Sequence, residues 1–168
     1  MPRLSIGIPV YNGQEYLPEL LESLLIQTFE DFEILICDNA SNDRTGDICR
    51  EFERRDRRVH YTCNERNLGA VANFNRVFEI STAPLFKWAA HDDLYHSDYL
   101  SECIRVLDAN PDVVLAHSGT AFIDDQGRKL PFEEQRRPSS RRRLEDGIGP
   151  MTRALPTAPW RSGDSGKS

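Results

Sequence analysis

The sequence lacks the features that mark membrane-embedded and disulfide-stabilised proteins. No apolar run approaches the roughly 18 residues that a membrane-spanning helix needs. The first residues lead straight into an apolar strand-like segment, without the hydrophobic stretch and small-residue cleavage site of a signal peptide. The 4 cysteines contain no Cys-x-x-Cys pair and no cysteine–histidine cluster with zinc-ligand spacing. We therefore expect a cytoplasmic protein whose thiols are free.

Excess positive charge is also absent, and two phosphate-binding signatures are missing. The formal net charge of −6 argues against non-specific nucleic-acid binding. No Gly-x-Gly-x-x-Gly follows the first predicted strand, and Gly-x-x-x-x-Gly-Lys-Ser/Thr occurs nowhere in the chain. The sequence therefore supports neither a dinucleotide-dependent dehydrogenase nor a P-loop nucleotidase.

Charged and apolar residues are distributed unevenly along the chain. Residues 1–125 carry 11 basic and 22 acidic side chains, whereas residues 126–168 carry 10 basic and 5 acidic ones among many prolines and serines. The second segment has too few apolar side chains to offset the conformational entropy lost on folding. We expect a folded domain over residues 1–125 and a basic, largely disordered tail over residues 126–168. Contact of its arginines with a membrane surface is conceivable, but a solvated charged segment is the simpler interpretation.

Apolar periodicity over residues 1–125 alternates between strand-like and helix-like segments. This alternation is typical of βαβ units, and it predicts an α/β fold with a Rossmann-like, mostly parallel sheet and helices on both faces. Aromatic side chains in these segments, namely Trp88, Phe74 and Phe78, are expected in the core. The predicted strands cover residues 4–10, 32–37, 59–63, 85–90, 112–116 and 120–123, and the predicted helices cover residues 17–25, 43–55, 70–80 and a segment from Ser97 or Asp98 to Asn110.

Acidic side chains follow two of the predicted strands, where ligands bind in sheets of this kind. Asp38 and Asp43 come after the second strand, and the pair Asp92-Asp93 comes after the fourth. Adjacent carboxylates repel each other, and a divalent cation stabilises both as anions. Oxygen ligands without histidine or cysteine suit Mg²⁺ or Mn²⁺, which often share a diphosphate. The pair Asp92-Asp93 predicts a metal–diphosphate site. The alternative is that one of the two carboxylates merely caps a turn. We expect Asp43 to have such a capping role at the start of the second helix.

Four segments together carry a resemblance to a known family. They are residues 5–12 (SIGIPVYN), residues 36–45 (ICDNASNDRT), residues 67–73 (NLGAVAN) and the pair Asp92-Asp93. Each segment is short, but their order and spacing across about residues 3–125 form a specific set. The chain resembles family 2 glycosyltransferases of the GT-A fold, in their N-terminal nucleotide-sugar-binding half.

The resemblance implies that a nucleoside-diphosphate sugar, favoured to be of the UDP type, binds at the carboxyl edge of the sheet. It places Pro9 and Tyr11 in the pocket for the base, and it makes Asp38 the acceptor of a hydrogen bond from that base. Asn67 and Gly69 match a loop that passes along the edge of the donor.

The resemblance also implies a bound Mg²⁺ or Mn²⁺. Asp93 matches the residue that would bind the metal bridging the diphosphate, and Asp92 would lie near the ribose or hold metal-bound water. The sequence departs from the family at Asn39-Ala40, where Asp-Gly is common, and at His91, where an acidic residue is frequent. The second change leaves the predicted metal site with one carboxylate fewer.

The reaction that the resemblance implies is inverting, metal-dependent transfer of a sugar to an acceptor hydroxyl, with a carboxylate as general base. No such base is assigned, because Asp124 and Asp125 come too early in the chain and Glu145 and Asp146 lie in a poor context. The acceptor is also unknown, so the domain looks truncated relative to the family. A non-catalytic nucleotide-sugar-binding module is the alternative, and a phospho-acceptor receiver domain is disfavoured because no acidic residue follows the first strand.

Overall fold

A computed structural model describes residues 1–124, 127–130, 143–145 and 151–153. The boundaries of the first strand and the first helix agree with the prediction, because an unbroken apolar run and a regular leucine spacing mark them clearly. The strands are β1 (Leu4–Val10), β2 (Phe32–Asp38), β3 (Val59–Cys63), β4 (Leu85–Trp88), β5 (Leu115–Ala116), β6 (Ala121–Ile123), β7 (Arg143–Glu145) and β8 (Met151–Arg153), and the helices are α1 (Leu17–Leu25), α2 (Thr45–Arg55), α3 (Ala70–Glu79) and α4 (Tyr99–Ala109).

The main sheet has six strands in the order β3-β2-β1-β4-β8-β5. Strands β3, β2, β1 and β4 are parallel to one another, which confirms the predicted Rossmann-like arrangement. Strand β8 runs antiparallel to both of its neighbours, β4 and β5. A separate two-stranded antiparallel sheet joins β6 to β7. From β1 the strands that follow in sequence, β2 and β3, lie on one side, and β4 lies on the other. The position between β1 and β4 is therefore the topological switch point, at which ligands bind in such folds.

The two faces of β1 bury different kinds of side chain, as the alternation of a strand requires. Its even-numbered residues, from Leu4 to Val10, join the main core cluster with leucines of α1 and apolar residues of α2 and α4. Its odd-numbered residues face α3. A Cβ atom at Gly7 would lie 2.6 Å from the ring of Phe86 and 3.1 Å from Val77, so glycine permits the close packing of α3 on this face.

Helix α3 covers the second face with an aromatic cluster. Phe86 is fully buried, and Phe78 and Trp88 pack against it with ring centroids 4.9 Å and 4.8 Å away. Phe78 and Trp88 are half-buried and pack against the core cluster that includes Phe86, so the prediction that they lie in the core is met in part. The prediction for Phe74 is wrong, because its side chain is 42% exposed. Asn73 and Val77 form the buried line of α3, and Phe74 is rotated about 100° around the helix axis from Asn73.

Strands β7 and β8 lie within residues 126–168, the segment predicted to be a largely disordered tail. The structure differs from that prediction at these two strands, because backbone pairing along a strand does not require many apolar side chains. Leu85 pairs with Arg153 and Leu115 with Thr152, so β8 connects β4 to β5. The predicted boundary near residue 125 stays a prediction, since most of this segment lies outside the described residues, including the arginines at 136–137 and 141–142.

Candidate functional site

A crevice opens at the carboxyl edge of the sheet, where β1 separates from β4. The last hydrogen bond between them joins the amide of Ala89 to the carbonyl of Gly7, at 2.9 Å. Pro9 is the next residue of β1 whose backbone faces β4, and proline has no N–H to donate. On its other side, β1 stays paired with β2 as far as Val10 and Asp38. Pro9 is buried, so it shapes the floor of the crevice, whereas Tyr11 beyond it is 44% exposed.

Reciprocal hydrogen bonds join the loop after β1 to the loop after β2. Asn12 adopts the left-handed conformation (φ 52°), which asparagine tolerates, and this turns its side chain toward the second loop. Asp43 accepts from the amide of Thr45, the first residue of α2, whereas the residue at the N-cap position itself is Arg44, so Asp43 contacts the helix start without being its N-cap. The bonds are Asn12 N to Ser41 Oγ (2.8 Å), Asn42 N to Asn12 Oδ1 (3.0 Å), Gly13 N to Thr45 Oγ1 (2.8 Å), Gln14 N to Asp43 Oδ2 (3.2 Å) and Arg44 N to Gln14 Oε1 (3.1 Å).

Asp38 is a buried carboxylate at the end of β2, with only 1% of its surface exposed. Its Oδ1 accepts from the backbone amide of Ser41 at 2.9 Å, and its Oδ2 accepts from the hydroxyl of Tyr61 at 2.9 Å. Burial raises the pKa of Tyr61, and so does the hydrogen bond to Asp38, which keeps the hydroxyl protonated as a donor. Asp38 is therefore held in one orientation from two sides.

Four asparagine side chains form a hydrogen-bonded network beside Asp38. The Oδ1 of Asn39 accepts from the side chain of Asn64 (3.0 Å) and from the amide of Leu68 (2.8 Å), and its Nδ2 donates to Asn67 (2.9 Å). Asn64 also donates to Asn73 (3.0 Å), whose own Nδ2 donates to the carbonyl of Cys37 (2.8 Å). We call this set, Asn39, Asn64, Asn67 and Asn73, the asparagine network. It ties the loop after β3 to the end of β2.

The network accounts for the placement of two predicted site residues. Asn67 accepts from the amide of Gly69 at 2.8 Å, which closes a small turn ahead of α3. Gly69 has a φ of 83°, a conformation that glycine adopts without strain. The sequence analysis gave roles to Asn67 and Gly69, included Asn73 in the family segment without a role, and missed Asn64. The recurrence of asparagines around the end of a buried strand was the sequence signal that could have indicated this network.

The two acidic residues after β4 differ in their accessibility. The amide of Asp93 donates to the carbonyl of Ala90 at 3.2 Å, so residues 90–93 form a turn with His91 and Asp92 at its centre. Asp93 is 2% exposed and accepts from the hydroxyl of Tyr95 at 3.4 Å, whereas Asp92 and His91 are half-buried. The residue predicted to bind the metal is thus the less accessible of the pair.

His91 also helps to close the crevice between the two strand ends. A Cβ atom at Gly13 would lie 2.5 Å from the side chain of Val10 and 3.0 Å from the ring of His91. Glycine at this position therefore lets the turn after β4 approach the loop after β1. Pro9 and Asp38 lie at the carboxyl ends of β1 and β2, the asparagine network lies beside Asp38, and Asp92 and Asp93 lie in the turn after β4.

A buried lysine lies beneath this turn, and sequence reasoning missed it. Lys87 has no exposed surface, and its Nζ lies 4.6 Å and 4.9 Å from the ring centroids of Tyr95 and Tyr99. Burial lowers the pKa of Lys87 to about 8, against the opposing effect of the nearby Asp93 charge. Burial, together with the same carboxylate, raises the pKa of Tyr95. A lysine inside an otherwise apolar strand was the signal for this cluster.

The crevice suits a divalent cation only when the ligand contributes donors of its own. Among the described residues, no group of three or more histidine, cysteine, aspartate or glutamate side chains is arranged to hold a metal ion. Asp92 offers a partly accessible carboxylate, and Mg²⁺ is commonly held by one or two carboxylates together with substrate phosphates. The residues present therefore fit a cation that arrives with a diphosphate.

The fold and the crevice define the class of protein: an α/β domain of the GT-A nucleotide-diphospho-sugar transferase type. The family model described as glycosyl transferase family 2 matches residues 5–160, and the chain belongs to this family. The match extends across the boundary near residue 125 that composition predicts. In the part of the chain that the structure describes, no helix has the length and apolar character needed to cross a membrane.

Curated relatives are similar over most of this chain. It is 29% identical to an uncharacterized glycosyltransferase of Rickettsia typhi over 156 residues, which are 92% of this chain and 48% of the relative. It is 33% identical to an uncharacterized glycosyltransferase of Methanocaldococcus jannaschii over 131 residues, 77% of this chain and 45% of the relative. The chain thus spans about half the length of these relatives.

Solved structures share the fold. A mannosyltransferase from Pyrobaculum calidifontis, in complex with GDP-Man and Mn²⁺, has a TM-score of 0.63 and 22% identity over 70% of this chain and 35% of its own. TarS of S. aureus in complex with UDP-GlcNAc has a TM-score of 0.63 and 22% identity over 78% of this chain and 37% of its own.

Proposed function

We propose that this chain binds a nucleoside-diphosphate sugar in the crevice and supplies the donor-binding part of an inverting, metal-dependent glycosyltransferase. The observation that carries the proposal is the fixed, buried carboxylate of Asp38 at the carboxyl edge of the sheet. Such a carboxylate accepts a hydrogen bond from a base N–H more strongly than a neutral group does. The solved relatives in complex with UDP-GlcNAc and with GDP-Man support a nucleotide-sugar ligand.

The hydrogen bonds of Asp38 favour a uracil base over guanine. Uracil presents one N–H on its pairing edge, whereas guanine presents two neighbouring donors that fit a carboxylate with both oxygens open. The Oδ1 of Asp38 already accepts one hydrogen bond, its Oδ2 accepts from both the Tyr61 hydroxyl and, at 3.8 Å, the Cys63 thiol, and the side chain is almost wholly buried. A single donor is easier to accommodate there, so we propose UDP-sugars as the donor class.

Asp92 is the residue that we propose to bind the cation, in place of Asp93. Asp92 is half-buried, whereas the Asp93 carboxylate is buried and accepts from Tyr95. Mg²⁺ or Mn²⁺ bound there would act as a Lewis acid that neutralises charge on the departing diphosphate. Pro9, Tyr11, Asn67 and Gly69 keep the donor-contacting roles that the family resemblance implies.

The catalytic base stays unassigned in this proposal. Asp124 accepts from the backbone and the guanidinium of Arg128, both within 2.9 Å, which leaves it poorly suited to activate an acceptor. Asp125 and Asp146 lie outside the described residues, and Glu145 belongs to β7. A module that binds a nucleotide sugar without transferring it is the second candidate, favoured by the engagement of Asp124 with Arg128.

Calorimetric titration and thermal unfolding with UDP, UDP-GlcNAc and GDP-Man, each with and without Mn²⁺, test the proposal. A ligand at 100 times its Kd stabilises the folded state by about 2.7 kcal/mol, which raises the melting temperature measurably. The Asp38→Asn variant should bind UDP roughly tenfold more weakly, because a charged acceptor becomes a neutral one. Asp47→Asn, at an exposed position of α2, is the matched control.

Three outcomes separate the candidates. Binding of UDP that is weakened in Asp38→Asn but not in Asp47→Asn supports the proposed site. Release of UDP from the sugar nucleotide in the presence of acceptors distinguishes a transferase from a binding module. If no nucleotide stabilises the protein with or without Mn²⁺, the proposed function is wrong.

A further inference from the structure

The residues beneath the 90–93 turn form a compact charged cluster inside the protein. It consists of Lys87 on β4, Asp93 at the end of the turn, and Tyr95 and Tyr99 beside them, and we call it the lysine cluster. The ammonium group lies over both tyrosine rings, and the Asp93 carboxylate accepts from the Tyr95 hydroxyl. Lys87 and Asp93 are 0% and 2% exposed, so their charges interact with little screening by water.

Stability alone is a weak reason for such a cluster. Removing two charges from water costs free energy that their attraction only partly repays, and apolar residues of similar volume often give equal or greater stability. A buried charge pair does, however, restrict its two groups to one relative arrangement. The cluster is therefore better suited to fixing a backbone position than to strengthening the core.

The position that it fixes is the turn that carries Asp92. Lys87 lies on β4, at one end of the four parallel strands, and is paired in register with Ile6 of β1, which fixes its backbone. Beyond the turn, the amide of Thr28 donates to Ser97 at 2.9 Å, which ties the following segment to the end of α1. Between these two fixed points, the Asp93 carboxylate accepts from the hydroxyl of Tyr95, whose ring centroid lies 4.6 Å from the Lys87 Nζ.

We propose that Lys87 is a positioning residue, whose ammonium group holds the Asp93 carboxylate under the turn so that the adjacent Asp92 carboxylate faces the crevice. This inference rests on the proposed function, since it assigns Asp92 to the cation and the diphosphate. Neighbouring side chains in a turn point in different directions, and anchoring one of them therefore orients the other. Lys87 touches neither donor nor metal in this arrangement.

Calorimetry on Lys87→Met tests the proposal by comparing UDP affinity without metal and with Mn²⁺. The Mn²⁺-dependent gain in affinity should fall at least tenfold, because Asp92 is no longer held in place. Metal-free UDP affinity should stay within twofold, because Asp38 and the asparagine network are untouched. Lys129→Met, at an exposed lysine, should alter neither quantity. A purely structural role for Lys87 would weaken both affinities together.

Hydrogen exchange of the protein without ligands supplies a second readout. In Lys87→Met, amides of residues 90–95 should exchange at least tenfold faster, while those of β2 should keep their rate. If Lys87→Met does not fold, Asp93→Asn takes its place, since it keeps a polar side chain beside Tyr95 and removes the charge.

The results distinguish the inference from the proposed function. An unchanged Mn²⁺-dependent gain, or exchange in residues 90–95 that matches the wild type, overturns the role of Lys87. A wild-type protein that binds no UDP overturns the proposed function instead, and the exchange measurement still decides whether Lys87 anchors the turn.

Discussion

Asn73 gives the sharpest test of how the asparagine network supports the fold. Its side chain is 3% exposed, donates to the carbonyl of Cys37 at 2.8 Å and accepts from Asn64 at 3.0 Å. Asn73→Ala removes both hydrogen bonds and leaves the two partner groups buried without them. Each loss costs about 1–3 kcal/mol when a partner is left unsatisfied, and the higher helix propensity of alanine returns roughly 0.5 kcal/mol. We expect the free energy of unfolding to fall by about 1.5–5.5 kcal/mol.

Urea denaturation followed by circular dichroism measures this change, with the midpoint shifting and the slope staying constant. Asn75→Ala, two residues along the same helix and half-buried, is the control and should change stability by no more than about 0.5 kcal/mol. Asn39→Ala should be non-additive with Asn73→Ala, because Asn64 donates to both residues. A loss below about 1 kcal/mol for Asn73→Ala, or simple additivity, would refute the reasoning.

Two further predictions concern single residues elsewhere. Ala40→Gly should raise the free energy of unfolding by about 0.5–1 kcal/mol, because Ala40 has a φ of 60°, whose cost to an L-residue exceeds the extra unfolded-state entropy of glycine. Urea denaturation measures it, and a loss of stability would contradict it. Burial raises the pKa of Cys49 from 9.0 to about 12, so the protonated thiol is favoured in the folded state. Its contribution to the free energy of unfolding is therefore complete below pH 9 and decreases as the pH rises toward 12. The free energy of unfolding of Cys49→Ala should therefore decrease less than that of the wild type over this pH range. Parallel plots of the free energy of unfolding against pH for variant and wild type would contradict this prediction.

Local sequence patterns were sufficient to predict the parallel part of the sheet. Strand β1 and helix α1 are predictable to the residue, because an apolar run and leucines three and four positions apart define each element without help from distant residues. The alternation of strands with helices predicted the parallel pairing, and the fold class predicted a ligand site at the carboxyl ends of the strands. The placement of Asp38 at the end of a buried strand was equally local.

Features that depend on distant parts of the chain were not predictable in this way. Strand β8 pairs with β4 and β5 through its backbone, and its composition resembles that of a disordered segment. Asp92 and Asp93 are adjacent in sequence, and the buried residues that surround Asp93, Tyr95 and Lys87 among them, come from different positions in the chain. Phe74 fits an apolar helical stripe, yet the axial rotation of α3 directs it away from the sheet.

The antiparallel strand β8 has a consequence for the way the chain is made. Strands β1 to β4 can pair as soon as they leave the ribosome, but β4 gains its second neighbour only when residues 151–153 have been synthesised. At translation rates of about 5–20 residues per second, β4 spends roughly 3–12 s as an open edge. Open edges pair readily with strands of other chains. We expect nascent chains of this protein to be most prone to aggregation during that interval.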